Sequence, residues 1–131
     1  MTVPIEYLDL DDLIELAILL LGEPPPIRDI GLLGSAAARP QTTAFREDAY
    51  PDHWTKSAAL LQSILKNHAL IDGNKRLGWL ATAVFLELNG ETPSNISNEV
   101  VYELVYGVAA GDHSIDEIAS LIRAASSPGG Q

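Results

Sequence analysis

The sequence contains no cysteine among its 131 residues. This absence excludes a disulfide framework, and it also excludes a thiol nucleophile and cysteine-based redox chemistry. The chain is long enough to bury one core but shorter than chains that usually divide into two domains. We therefore expect a single domain, with the composition of an ordinary cytoplasmic protein.

Basic residues are scarce. Eight Lys and Arg residues stand against 18 Asp and Glu residues, which gives a formal net charge of -10. Non-specific binding to nucleic acid depends on cations that displace the counterions of the phosphates, and this chain has few to offer. No direct contact with nucleic acid is expected. The acidic excess would suit a basic partner, although such an excess more often serves solubility.

Long apolar runs are also missing. The first residues, "MTVPIEYLDLDD", lack the basic segment of a signal peptide, and Glu15 interrupts the apolar run "LIELAILLLG". A transmembrane helix needs about 20 consecutive apolar residues. We therefore expect a protein that is neither exported nor inserted into a membrane.

No long stretch alternates between apolar and polar residues, so no sheet of any size is predicted, and no internal repeat is visible. Apolar residues recur instead at helical spacing, between capping Asp or Ser residues and stops made of Gly or Pro. The predicted helices cover about residues 10–21, 30–39, 52–67, 74–88 and 100–108, followed by a sixth that opens with the capping box Ser114 to Glu117. Residues 41–51 show no helical period and are predicted to form a surface loop or small hairpin.

The predicted fold is an all-α bundle of about six helices around one buried central helix. The fourth helix, "LGWLATAVFLELNG", is apolar on nearly every face and is predicted to be that central helix. In the third helix the apolar stripe that begins at Trp54 predicts that His68 continues a core-facing row. The domain is assigned to residues 1–122, and residues 123–131 to a disordered C-terminal tail.

One polar stretch, "KNHALIDGNKRLGW" at residues 66–79, lies between the third and fourth helices. Its second half sits at the N-terminus of the fourth helix, where free N–H groups and the helix dipole favour an anion such as phosphate. Gly73 allows close backbone approach, Asn74 offers an amide donor, and Lys75 and Arg76 are cations suited to phosphate oxygens. Lys75 and Arg76 could instead be solvated residues of the first helical turn, but cations at the N-terminus of a helix oppose its dipole.

Two further residues complete the predicted site. Asp72 would repel a phosphate chain unless a divalent cation such as Mg²⁺ bridged them, and it is also a natural cap for the fourth helix. These two roles are compatible. His68 is placed one turn earlier, and histidine is the side chain that most readily accepts a proton near neutral pH. A core histidine is the simpler interpretation of His68 when it is taken alone.

The segment "HALIDGNKR" resembles the signature of the Fic/Doc superfamily, whose Fic branch reads His-x-Phe-x-(Asp/Glu)-Gly-Asn-Gly-Arg-x-x-Arg. Lys75 replaces the second Gly, as in the Doc branch, and Trp79 stands where the Fic pattern has its second Arg. "RDIGLLGSAAARPQ" and "FLELNG" also resemble Doc toxins, so the similarity covers most of residues 5–120. Ala69 and Leu70 depart from the usual Pro and Phe, which affects the packing behind the loop more than the chemistry.

The resemblance implies a toxin of a toxin–antitoxin pair, a kinase that uses ATP and Mg²⁺ to phosphorylate a threonine of translation elongation factor Tu. It implies His68 as general base, Asp72 as the Mg²⁺ ligand, and Gly73, Asn74, Lys75 and Arg76 as phosphate-binding residues, with Arg76 also catalytic. In that family the lysine directs the γ-phosphate towards the histidine, whereas Fic relatives transfer AMP. The alternatives are therefore AMP transfer, or a catalytically silent binding module.

The resemblance also assigns two regulatory features. Residues 42–49 lie where the superfamily has a flap that holds the target segment, with Thr42, Thr43, Ala44 and Phe45 as its candidate contacts. The inhibitory pattern (Ser/Thr)-x-x-x-Glu-(Gly/Asn) is incomplete, because Asp48 follows Glu47 where Gly or Asn is required. Restraint is therefore expected in trans, from an antitoxin that supplies a helix to an apolar groove.

Overall fold

The computed structural model describes residues 3–126 of the chain, and within that range its regular secondary structure is helical apart from one small hairpin. The helices within that range are α1 Leu10–Leu21, α2 Ile30–Ala38, α3 His53–Asn67, α4 Asn74–Leu88, α5 Asn98–Ala110 and α6 Ile115–Ser126. Single 3₁₀ turns cover Arg39–Gln41 and Pro93–Asn95. The strands β1 Thr43–Ala44 and β2 Glu47–Asp48 pair antiparallel. The predicted all-α bundle is confirmed.

Local capping explains why these helices begin where the sequence predicts. The Asp9 carboxylate accepts from the Asp12 backbone N–H at 2.8 Å, and Asp52 does the same for the Thr55 N–H at 2.8 Å. Ser114 and the side chain three residues later form the predicted capping box at the start of α6. Each bond satisfies a backbone donor that the helix itself leaves free. The six predicted helices are confirmed.

The central helix is α3, and the prediction that α4 occupies that place was wrong. Nine of the 15 residues of α3 are buried, against six of the 15 in α4. Helices α2, α4, α5 and α6 all pack on α3. Helix α4 is apolar all round for a different reason, because one of its faces packs on α3 while another lines an open apolar groove beside α5.

The close packing of α3 on α4 depends on Gly78. A Cβ atom at this position would lie 3.2 Å from Leu61 Cδ1 and 3.3 Å from Leu65 Cδ2, closer than most Cβ atoms lie to their neighbours. The two backbones therefore approach closely just after the turn that joins them. This approach holds the turn, and the polar residues on it, against a rigid base.

The hairpin β1–β2 is exposed, but its second strand and the residues that follow are anchored to α3. The ammonium of Lys56, a fully buried residue, lies 3.0 Å from Asp48 Oδ2 and donates to the Tyr50 carbonyl. The Tyr50 hydroxyl accepts from Arg39 Nε at 3.0 Å. Buried charges of this kind require partners of opposite charge or hydrogen-bond acceptors. The predicted surface loop or small hairpin is confirmed, with a fixed base.

Helix α6 extends past residue 122, where the predicted domain ends. Helix α6 runs through Ser126, which is buried, so residues 123–126 belong to the helix rather than to a disordered tail. The remainder of the predicted tail, residues 127–131, lies outside the described residues. Within residues 3–126, every helix is too short or too polar to cross a membrane.

Candidate active site

His68 follows the last residue of α3 and reverses the direction of the chain. Its backbone lies in the left-handed region, with φ 51° and ψ 47°. Its side chain is exposed, so the prediction that it continues the buried stripe of α3 was wrong. The helix ends at Asn67, and the reversal turns the next side chain away from the core. For a residue other than glycine, this conformation is unfavourable by about 1–2 kcal/mol.

The turn that carries His68 is held by the segment before α2. The Ala69 carbonyl accepts from the backbone N–H of Arg28 at 2.7 Å and of Asp29 at 3.0 Å, and the Ile71 N–H donates to the Pro26 carbonyl at 2.8 Å. The guanidinium of Arg28 also donates to the carbonyl of His68. Backbone bonds on both sides of the turn therefore fix its position without a helix or strand.

Asn74 closes the turn from the other side. Its Oδ1 accepts from the Leu70 N–H and its Nδ2 donates to the Leu70 carbonyl, each at 3.0 Å. The side chain thus hydrogen-bonds to both backbone groups of Leu70, as a neighbouring strand would. The loop uses one of the two hydrogens of the Asn74 amide, and the role of this amide as a donor for phosphate stays a prediction. Asn74 also offers an anion site its backbone N–H at the start of α4.

Gly73 is the N-cap of α4 and has φ 88°. A Cβ there would lie 2.7 Å from Leu21 Cδ1, so both the backbone angle and the neighbouring side chain require glycine. No side chain caps the first turn of α4. Asp72 does not cap it, since Asp72 Oδ1 accepts from the Gly73 N–H at 2.9 Å instead. The N–H groups that follow Gly73 are left for an external anion.

These residues surround a cleft of about 680 Å³. Its walls come from the end of α3, the turn, the first turn of α4 and the end of α5. The lining residues are Leu65, His68, Ile71, Asp72, Gly73, Asn74, Lys75, Arg76, Tyr106, Ala109 and Ala110. The structure therefore brings all five polar residues predicted at positions 68–76, together with Gly73, around one cleft.

Lys75 lies on the boundary between the cleft and a neighbouring apolar groove. Its ammonium lies 4.9 Å from the centroid of the Tyr106 ring, a favourable cation–π distance. Tyr106 stacks on Tyr102 with 4.1 Å between ring centroids. Charge repulsion from Tyr106 is the first cause of the raised pKa of Tyr102.

The neighbouring groove lies between α4 and α5 and has a volume of about 490 Å³. Trp79, Leu80 and Ala83 line one side, and Val101, Tyr102 and Val105 line the other, with Leu20 and Asn98 completing the wall. Lys75, Arg76 and Tyr106 line both the groove and the cleft. An occupant of the groove would therefore touch residues that also face the cleft.

The residues of the cleft fit a magnesium ion that arrives with a nucleotide. Within residues 3–126, no three His, Cys, Asp or Glu side chains come together as a metal site. Asp72 supplies one exposed carboxylate to the cleft. Mg²⁺ is commonly held by one or two carboxylates together with substrate phosphates and water, and it does not need a cage made only of protein.

The candidate flap contacts lie elsewhere. Thr42, Thr43, Ala44 and Phe45 are exposed and belong to the hairpin, and the residues that line the cleft do not include them. Phe45 is 99% exposed, and both it and Arg46 have positive φ, at 54° and 68°. The hairpin therefore presents an apolar side chain to solvent from a strained tip.

Two contributors to the site were absent from the sequence-based prediction. Tyr106 reaches the cleft from α5, and Arg28 reaches the turn from 40 residues away in the chain. Tyr102 and Tyr106 are four residues apart on one helix face, which is a visible pattern, but it does not reveal that α5 packs beside the start of α4. The sequence contains no local signal for the contact made by Arg28.

Comparison with known proteins adds an independent observation. The family model described as the Fic/DOC family matches residues 7–86, which contain α1 to α3, the hairpin and most of α4. The chain is also similar to a protein named Toxin Doc from Mycolicibacterium smegmatis (strain ATCC 700084 / mc(2)155). The two are 44% identical over 116 residues, which make up 88% of this chain and 89% of that protein.

Proposed function

The chain belongs to the Fic/DOC family, and on this premise we propose that it is the toxin of a toxin–antitoxin pair. Its proposed activity is a protein kinase that transfers the γ-phosphoryl group of ATP, with Mg²⁺, to a threonine of elongation factor Tu in the cytoplasm. The single observation that carries the proposal is the cleft, in which His68 and Asp72 face the uncapped first turn of α4.

His68 is the general base of the proposed reaction. It accepts the proton of the acceptor hydroxyl while the hydroxyl oxygen attacks the γ-phosphorus. The bond from that phosphorus to the bridging oxygen breaks, and ADP leaves. The backbone N–H groups after Gly73 and the cations of Lys75 and Arg76 stabilise the charge on the phosphate oxygens. Asp72 would hold the Mg²⁺ that neutralises part of this charge.

Lys75 and Trp79 favour phosphoryl transfer over AMP transfer. The Fic pattern has Gly at the first of these positions and Arg at the second, and both residues differ here. Lys75 projects from the first turn of α4 and its ammonium already lies beside Tyr106, so its side chain occupies space that a Gly would leave open. Trp79 faces the apolar groove and supplies no charge to a nucleotide.

The groove between α4 and α5 supports the second half of the proposal, an antitoxin that acts in trans. Its walls are mostly apolar, and its length along α4 from Lys75 to Ala83 corresponds to about two helical turns. An amphipathic helix from a partner would bury these side chains. Since the groove shares Lys75, Arg76 and Tyr106 with the cleft, its occupation would disturb phosphate binding.

The reaction is tested with ATP labelled at either the α or the γ phosphate, incubated with the protein and a cell extract. We expect label on a protein of the extract from the γ position only, and loss of that label by about 10²–10⁴-fold in His68→Ala. Label from the α position alone would mean AMP transfer. A second test expresses the protein in cells without its partner and measures growth. If His68→Ala arrests growth as strongly as the wild-type protein, the protein is a binding module without catalysis.

A further inference from the structure

The carbonyl of His68 is held by a single side chain that no part of the proposed reaction uses. Arg28 Nε donates to His68 O at 3.1 Å, and Arg28 Nη2 donates to the same oxygen. Two donors of one planar guanidinium restrict the direction of the carbonyl more than a single donor does. A cation at this end of α3 is also favoured by the helix dipole.

Arg28 is itself fixed in place, although its side chain is exposed. Its backbone N–H donates to the Ala69 carbonyl at 2.7 Å, and Ile27 forms an antiparallel bridge with Leu70. Asp29 follows at once as the N-cap of α2. Within residues 3–126, no carboxylate lies within 4 Å of the Arg28 guanidinium. The contact with His68 therefore has no competing ion pair in this part of the chain.

We propose that Arg28 is the positioning residue for His68, an inference that rests on the phosphoryl transfer proposed above. His68 has an unfavourable left-handed backbone, and no cap other than Arg28 holds its carbonyl among the hydrogen bonds of the described residues. Without the Arg28 side chain, the backbone bonds of Ala69 and Ile71 still hold the rest of the turn, but the His68 carbonyl is released. The backbone of His68 then relaxes towards ordinary angles, and its imidazole moves relative to the first turn of α4. Arg28 touches neither nucleotide nor acceptor in this scheme.

The kinetic test compares Arg28→Met, which keeps the length of the side chain but removes the donors, with the wild-type protein. We expect kcat to fall by about 10–100-fold, because a displacement of about 1 Å of a catalytic group has an effect of this size. KM for ATP should change by less than about threefold, since the phosphate-binding turn of α4 is intact. Arg28→Lys restores the cation without the two-donor geometry and should show an intermediate kcat.

The matched control is Arg123→Met, at an exposed arginine of α6 that lies away from the cleft. It should leave kcat and KM unchanged. An equal loss of kcat in both variants, or a rise in KM with constant kcat in Arg28→Met, would overturn the inference.

A second readout does not depend on turnover. The ¹³Cα and ¹³Cβ chemical shifts of His68 report its backbone angles, and in Arg28→Met they should move away from left-handed values. If the wild-type protein transfers no phosphoryl group, the proposed function fails, and these shifts alone decide whether Arg28 positions His68. Shifts that stay unchanged in Arg28→Met overturn the inference whatever the value of kcat.

Arg28→Lys keeps the test decisive if Arg28→Met does not fold. A lower kcat together with altered His68 shifts in folded Arg28→Lys supports the positioning role. Wild-type kcat and wild-type shifts in Arg28→Lys would mean that Arg28 serves only the stability of the chain.

Discussion

At the scale of single residues, Gly73 is the position where the site depends most on the absence of a side chain. It has φ 88°, and a Cβ would lie 2.7 Å from Leu21 Cδ1. We expect Gly73→Ala to lower the free energy of unfolding by about 1–3 kcal/mol, from backbone strain and overpacking. Phosphoryl transfer should fall as well, because the first N–H groups of α4 move.

Urea denaturation and transfer of γ-label measure both effects. Gly107→Ala is the matched control, since Gly107 lies in the interior of α5 with nothing within 4 Å of its Cβ position. It should stabilise the protein by about 0.5–1 kcal/mol and leave transfer unchanged. Equal stability of Gly73→Ala and the wild-type protein would contradict the role given to the positive φ.

In the proposed mechanism, the choice between phosphoryl and AMP transfer depends on Lys75. We expect Lys75→Gly to reduce transfer of γ-label and to allow some transfer of α-label, because it removes a phosphate-binding cation and opens the space that the side chain occupies. Trp79 still lacks the charge of the second Fic arginine, so AMP transfer should remain weak. The measurement is the ratio of α-label to γ-label on the target.

The control for Lys75→Gly is Glu99→Gly, at the equivalent second position of α5 and away from the cleft. Both variants lose helix propensity to a similar degree. Only Lys75→Gly should change the ratio of labels. An unchanged rate of γ-transfer in Lys75→Gly would remove this residue from the mechanism.

At the scale of elements, the start of α6 depends on a charged cap. Glu117 Oε1 accepts from the Ser114 N–H at 2.7 Å, and this backbone hydrogen bond is the main cause of the lowered pKa of Glu117. A carboxylate with a lowered pKa stabilises the folded state above its unfolded pKa of about 4.3. That contribution is lost as the pH falls through the lower pKa of the folded state.

We therefore expect Glu117→Gln to be less stable than the wild-type protein at neutral pH. The difference should begin to shrink below about pH 4.3 and vanish once the pH is below the lower pKa of the folded state. Thermal melting from pH 3 to 7 measures it. Glu103→Gln serves as the control, because it removes an exposed carboxylate of α5 that makes no side-chain hydrogen bond within residues 3–126. A difference between Glu117→Gln and wild type that is constant over this pH range would contradict the charged-cap account.

At the scale of the whole molecule, the open groove beside α4 leaves apolar side chains of α4 and α5 uncovered. A partner helix that binds only the folded protein should raise its stability by about 3 kcal/mol at a hundredfold excess over Kd. We expect a small antitoxin to raise the melting temperature and to abolish transfer of γ-label. Ala83→Glu, which places a charge in the groove, should prevent both effects while leaving the free protein active.

Ala124→Glu is the matched control, with the same change on the exposed face of α6. It should respond to the partner like the wild-type protein. Thermal melting and γ-label transfer, each with and without the partner, give the result. Full activity of the wild-type protein together with an unchanged melting temperature in the mixture would exclude restraint through this groove.

Local interactions determined the positions of the helices and the polar residues that the site takes from positions 68–76. Asp9, Asp29, Asp52 and Ser114 each cap the helix that follows them, and the capping bond joins residues only three apart in the chain. The residues at positions 68–76 are likewise close in sequence, so a turn between two helices must present them together. Such short-range bonds can be read from residue types and spacing.

The tertiary structure decided which helix is central and how His68 is directed. Apolar residues surround α4 in the same way whether a face meets another helix or an open groove, so its sequence could not show that α3 is the enclosed one. The left-handed backbone of His68 is held by Arg28 from 40 residues away, and Tyr106 reaches the cleft only because α5 packs beside α4. Contacts between residues distant in the chain depend on the packing of whole helices, and no local pattern encodes that packing.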